Sequence, residues 1–240
     1  MRTAKGEEKW LRSIAKPESL QGEITWHGYV ADISQRKRQQ IEIEQLAYFD
    51  PLTHLPNRRM LIDRLTQALA ASGRRGDRGA LLFIDLDNFQ TLNDTHGHDV
   101  GDAFLVQVAG RLKDSLRKND IVARIGGDEF VVVAEEIGRD HATAVSRGIT
   151  IANQILGAFR QGFDLGDLAH RASASVGVVV FDGTEQRVEE ILKQADLAMY
   201  RAKSAGRDGM ALFDPRALDR ESERLEPADH LPMPVKRLSA

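Results

Sequence analysis

The residues best suited to chemistry are acidic and lie in two short runs. Asp85-Leu86-Asp87 closes the segment ALLFIDLD, and Asp128-Glu129 follows two glycines in RIGGDEF. Carboxylates at the mouth of an apolar strand cost free energy unless they are paired or bound to a metal. Hard oxygen ligands beside a backbone carbonyl suit Mg²⁺. Taken alone, Asp85 and Asp87 read more readily as caps on the following turn. The Gly126-Gly127 segment alone reads as a plain hairpin with a solvated acidic tip. Together they read differently: if a sheet joins the two turns, three or four carboxylates face one another. They then need a cation, and a divalent metal is the economical one.

Three polar clusters accompany these turns. In the run from Asn93 to Asp102, His96 and His98 stand two residues apart around a glycine, which fits capping or packing better than metal ligation. Asn93 and Asp102 suit recognition: an amide and a carboxylate match a purine edge such as guanine, with its acceptor and two donors. Lys203-Ser204-Ala205-Gly206-Arg207 sets two cations around a glycine. That arrangement fits a phosphate chain, or equally the favourable placement of cations at a helix C-terminus. Arg117-Lys118-Asn119-Asp120, by itself, is a polar loop between a helix and a strand.

Alternating elements must position these groups. Residues 1–34 hold β-like pieces, EKWLRSIA and GEITWHGYV, with turn signals at Lys16-Pro17 and Gln21-Gly22. Two or three strands cannot bury a core alone, so this piece reads as a remnant of a larger sheet. Residues 35–48 are helix formers without Gly or Pro, a connector helix that is either solvated or paired with a second copy. Residues 49–214 form the main domain. It opens on the turn DPLTHLPNRR, with Asn57 as N-cap, followed by an amphipathic helix over 58–71. A strand over 80–87 is apolar enough to be buried on both faces. A helix over 101–116, two strands around Gly126-Gly127, and a helix over 141–159 come next. A strand over 172–181, a helix over 187–204 and a last strand over 209–213 complete the pattern. Helices alternating with strands, plus one hairpin, predict an α/β fold with a mixed central sheet flanked by helices. Residues 215–240 hold four of the seven prolines and read as a frayed helix and flexible tail.

Composition sets bounds. The 240 residues allow one or two domains, and a 42% hydrophobic content supplies a core. The net charge of −3 argues against a general nucleic-acid binder. The absence of cysteine excludes a disulfide framework, a thiolate metal site and a cysteine nucleophile, and fits a reducing compartment. No apolar run approaches the ~18 residues that span a bilayer. MRTAKGEEKWLRS has no apolar stretch behind its charges, unlike a signal peptide. A cytoplasmic location is expected.

RIGGDEF at 124–130 resembles the signature of GGDEF-domain diguanylate cyclases. DPLTHLPNRR, DLDNFQTLNDTHGHDVGD, the Arg117-to-Asp120 motif, SVGV at 175–178 and ADLAMYRAKSAGRD at 196–208 agree with it in order and spacing, over about residues 46–213. Residues 9–38, ending in GYVADISQRKR, resemble the closing strands of a PAS sensor domain. The resemblance implies a fold like that of adenylyl cyclases and polymerase palms. It implies an enzyme that joins two GTP molecules into cyclic di-GMP, as a homodimer, with release of two pyrophosphates. By position, Asp85, the Leu86 carbonyl, Asp128 and Glu129 would hold Mg²⁺ (or Mn²⁺), and Asp128 and Glu129 would be catalytic. Asn88, Phe89 and Gln90 would offer backbone N–H groups to the β- and γ-phosphates, and Lys203 and Arg207 would neutralise them. Asn93 and Asp102 would read guanine. Arg117 and Asp120 match an inhibitory site for the product. The family usually has Lys or Arg where this sequence has Gln90, and Arg124 is expected to cover part of that lost charge. The alternative reading is a catalytically weak receptor for GTP or cyclic di-GMP.

Overall fold

A computed structural model describes residues 7–214, apart from 21, 22, 167 and 185. The Gln21-Gly22 turn and the 215–240 tail therefore lie outside the described residues. Strands β1 (Leu11–Leu20) and β2 (Glu23–Asp32) pair antiparallel as a two-stranded ribbon. The turn expected at Lys16-Pro17 is absent: β1 runs straight through it, with Pro17 opposite Trp26. In a two-stranded ribbon each strand has a free edge, where the missing N–H of proline is tolerated. Helix α1 (Ser34–Tyr48) follows.

The main domain begins with α2 (Arg58–Arg75), whose first N–H groups, those of Arg59 and Met60, donate to the Asn57 side chain. Then come β3 (Arg78–Leu86), α3 (Phe89–His96) and α4 (His98–Asp114). The hairpin β4 (Ile121–Gly126) and β5 (Glu129–Gly138) leads into α5 (His141–Phe159). A short ribbon of β6 (Phe163–Asp164) and β7 (Ala169–His170) precedes β8 (Ala174–Phe181), α6 (Val188–Ser204) and β9 (Gly209–Leu212).

The central sheet has the order β4-β5-β3-β8-β9. β3 is antiparallel to both neighbours, while β8 and β9 run parallel through the α6 crossover, so the sheet is mixed as expected. The alternating side chains of β3 serve two cores. Leu82, Ile84 and Leu86 pack with Phe104, Val108 and Ile155 of α4 and α5. Leu81 and Phe83 pack with Leu61 and Leu65 of α2 and Ile191 and Met199 of α6. Each such side chain contributes roughly 1.5–3 kcal/mol on burial. Gly177 on β8 permits the second layer, because a Cβ there would strike the Ala195 carbonyl and the Met199 nitrogen. The close approach of α6 carries its C-terminal turn to the end of β3.

Some boundaries differ from expectation. α3 is a separate helix of 8 residues, and β6 and β7 have 2 residues each, too short for a periodic apolar signal. α2 continues to Arg75 because Ser72 and Gly73 do not interrupt it, and α4 starts at His98, ahead of Gly101. Among the described residues no helix is long and apolar enough to cross a membrane.

Candidate active site

The two acidic turns do meet. The register sets Asp85 of β3 directly opposite Glu129 of β5, a like-charge pairing that destabilises a sheet. The turn is joined to β3 a second time, where Leu86 N donates to the Asp128 carbonyl at 3.2 Å. Asp85 is only 6% exposed. Burial pushes its carboxyl above the ordinary carboxylate range, and the charges of Asp128 and Asp87 add to this against the opposing hydrogen bond from Lys203. Lys203 Nζ lies 2.8 Å from Asp85 Oδ2. The carboxyl of Glu129 is also raised, first by burial and then by Asp85, Asp128 and Asp196. Like charge thus adds to burial at both carboxyls, and Lys203 opposes it.

Among the described residues no group of three His, Asp or Glu side chains forms a ready cage for a metal. Mg²⁺ seldom uses one. It takes one or two carboxylates and completes its shell with water and substrate phosphates. The hard-oxygen donors and the uncompensated charge fit such an ion.

Asp87 has a different task. The strand has ended, and its buried carboxylate accepts from Ser173 Oγ (2.6 Å), Ser175 Oγ (2.7 Å) and Asp208 N (3.1 Å). Arg207 and Asp208 both have left-handed backbones, with φ of 62° and 42°. Such conformations persist only where surroundings over-determine them. Asp87 therefore holds the loop that carries Arg207.

The expected purine-reading residues lie on α3 and α4. The Asn93 Oδ1 atom is buried and has no hydrogen-bond partner among the described residues. It rests against Gly101, where a Cβ would collide with it. Gly101, which the sequence does not single out, is what lets α3 and α4 approach so closely beside the exposed Asp102. Asn88 begins α3 in a left-handed conformation, φ 60°, and Phe89 follows it half-buried against Phe104. Gln90 Nε2 donates to Asp94 Oδ1 at 2.8 Å along the exposed side of α3.

Arg124, expected to cover part of the charge missing at the phosphates, is bonded within the protein. Its Nη1 donates to both carboxylate oxygens of Asp50, at 3.0 and 3.2 Å. Its Nε and Nη2 donate to the Gly127 carbonyl at 3.0 and 2.7 Å. All three nitrogens are thus engaged within the protein. The sequence marks Asp50 only as part of a turn.

Arg117 and Asp120 close the loop between α4 and β4. Arg117 N donates to Asp120 Oδ2 at 2.9 Å and Asp120 N to the Arg117 carbonyl at 3.0 Å. Burial raises the Asp120 carboxyl, against the Arg117 N–H. Arg64, Lys113, Arg117 and Lys118 line an open cleft here. It lies at the opposite end of β4 from the acidic turn, about 20 Å away at ~3.3 Å per residue.

The sequence profile described as "Diguanylate cyclase, GGDEF domain" matches residues 47–209. The bifunctional diguanylate cyclase/cyclic di-GMP phosphodiesterase MucR of Pseudomonas aeruginosa is 40% identical over 185 residues, 77% of this chain and 26% of that protein. The chain thus spans about a quarter of that relative's length. The solved GGDEF domain of TpbB (YfiN) from P. aeruginosa superposes with a TM-score of 0.66 at 34% identity, covering 72% of this chain and 99% of that one. The coiled coil and GGDEF domain of DgcB from Caulobacter crescentus, solved in complex with c-di-GMP, gives 0.62 at 27% identity, covering 74% and 92%.

Proposed function

Because this chain belongs to the GGDEF-domain family of diguanylate cyclases, we propose that it condenses two GTP molecules into cyclic di-GMP, with residues 49–214 as the cyclase unit. The observation that carries this reading is the opposed pair Asp85 and Glu129, with Lys203 ion-paired to Asp85, at the end of β3. Asp85, the Leu86 carbonyl, Asp128 and Glu129 would hold the Mg²⁺ (or Mn²⁺). When bound, that ion supplies charge neutralisation and a more acidic ribose 3′-hydroxyl.

The chain's own residues do the rest. Asn93 and Asp102 orient guanine, and the backbone N–H groups at the start of α3 face the phosphates. Lys203 and Arg207 neutralise the triphosphate as pyrophosphate leaves. Asp128, with Glu129 beside it, accepts the proton of the 3′-hydroxyl. Each 3′-oxygen forms a bond to the α-phosphorus of the other nucleotide. Each α-phosphorus loses pyrophosphate, so two bonds form and two break. One domain holds one GTP, so the ring requires two domains face to face, and a homodimer is the natural source. Arg117 and Asp120, in a cleft that Arg64, Lys113 and Lys118 also line, would bind the product as an inhibitor. The ribbon β1–β2 and helix α1 would be the end of a PAS-type sensor and its connector.

A second reading, a catalytically weak nucleotide receptor, is favoured by one observation: Gln90 is bonded to Asp94 and brings no cation. Incubating the chain with GTP and Mg²⁺, then resolving products by chromatography, separates the two. The cyclase reading expects cyclic di-GMP that disappears on adding EDTA; binding without turnover would favour the receptor.

A further inference from the structure

At the Gly126-Gly127 turn a Cβ built at either glycine would meet no described residue within 4 Å beyond its chain neighbours, so side-chain packing does not fix the turn. Yet this turn must aim Asp128 at Asp85 across the sheet. Two ties hold it. One is the Leu86 N–H on the Asp128 carbonyl. The other is the Arg124 guanidinium on the Gly127 carbonyl, one peptide unit before Asp128.

Arg124 is itself held from two sides. Its backbone N–H donates to the Pro56 carbonyl at 2.9 Å, and its Nη1 is chelated by Asp50. Asp50 is fixed in turn by Thr53, whose N–H and hydroxyl donate to Oδ1 at 2.8 and 2.6 Å. Burial works against the Asp50 carboxylate, but the Thr53 and Arg124 donors outweigh it and hold the carboxyl below its ordinary range. The Arg124 and Asp50 side chains are 12% and 18% exposed. A pair so far from water adds little stability over an apolar pair of the same shape. It supplies direction instead: a planar fork aimed at one carbonyl.

We propose that Asp50 and Arg124 are a positioning pair that sets Asp128 against Asp85. Neither touches substrate; Asp50 acts through Arg124, and Arg124 through the Gly127 carbonyl. The activity arm of the test rests on the cyclase reading, and the metal-binding arm does not.

The test uses Asp50→Asn, Arg124→Lys and the double variant in the full chain, assayed below the lowest Tm of the set. Lysine keeps the charge but cannot grip Gly127 and Asp50 together. Misplacement by ~1 Å can cost ~100-fold in rate, so kcat should fall about 10- to 100-fold in Arg124→Lys, with the GTP KM nearly unchanged. Asp50→Asn should lose less. The double variant should match Arg124→Lys within about twofold, because the two act in series. Mn²⁺ binding, followed by electron paramagnetic resonance without nucleotide, should weaken in each variant. Unchanged kcat, independent losses that multiply, or a loss confined to KM would overturn the proposal. The last would return Arg124 to the phosphates. If the wild type forms no cyclic di-GMP, the cyclase reading fails, and Mn²⁺ binding alone decides: weakened binding supports the pair and equal binding overturns it.

Discussion

Replacing Lys203 by methionine should move metal and nucleotide affinity in opposite directions. Without a divalent ion, Lys203 is the cation that Asp85 has, at 2.8 Å, with the two side chains 30% and 9% exposed. A metal ion arriving at Asp85 must displace or share that ammonium and bear its repulsion. A hydrogen bond to a charged group contributes roughly 1.5–3 kcal/mol net. At ~1.4 kcal/mol per decade, removing the competitor should tighten Mn²⁺ binding by about 10- to 100-fold. Methionine keeps the length and apolar stem of lysine, so packing on α6 is largely preserved. In the same variant a triphosphate loses a cation, so GTP should bind more weakly and turnover should fall. Asp85 is left buried without its partner, so the metal-free variant should melt at a lower temperature and regain stability as Mn²⁺ is added. Mn²⁺ titration by electron paramagnetic resonance and GTP-analogue calorimetry, on wild type and variant, read the two signs separately. Unchanged or weaker Mn²⁺ binding would refute the reasoning, because Lys203 would then be orienting Asp85 for the metal and not competing with it.

Glu129→Gln should stop product formation yet raise the metal-free Tm. The folded carboxyl is raised, so its charge destabilises the fold at neutral pH, and the amide removes that cost. A lower Tm would show that the carboxylate cluster is not strained. The same sign makes the Asp85 and Glu129 contributions more favourable as pH falls, whereas Asp50, with a lowered carboxyl, loses stability as pH falls through its folded value. Asp87→Ala strands three donors, at about 1–3 kcal/mol for each left buried and unpaired, so thermal unfolding should show a large loss. It should also raise the GTP KM by releasing the Arg207 loop; an unchanged Tm and KM would contradict that role. Arg117→Ala should relieve inhibition by added cyclic di-GMP and leave the initial rate intact, and superimposable inhibition curves would return the loop to a structural turn.

The sequence discloses this fold where apolar runs are long, and this site where residue type leaves few tasks. The helix expected over 141–159 matches α5 (His141–Phe159), and the uninterrupted ALLFIDLD run marks the central strand. Helix α3 has 8 residues and a single fully buried apolar one, Leu92, so no periodicity betrays it. The two aspartates of the DLD run look alike in sequence, and alternation alone would put both on one face. Because β3 ends at Leu86, only Asp85 joins the ladder opposite Glu129, while Asp87 turns to serines 86 and 88 residues away. Arg124 is the sharper case. A cation beside an acidic turn suits a phosphate or a carbonyl equally well, and its choice is made by Asp50, 74 residues earlier. Residue type indicates what a side chain can bond, but its bond is decided by what the sheet brings within 3 Å. In this chain the acidic turn is therefore set by a residue whose sequence context is an ordinary proline turn.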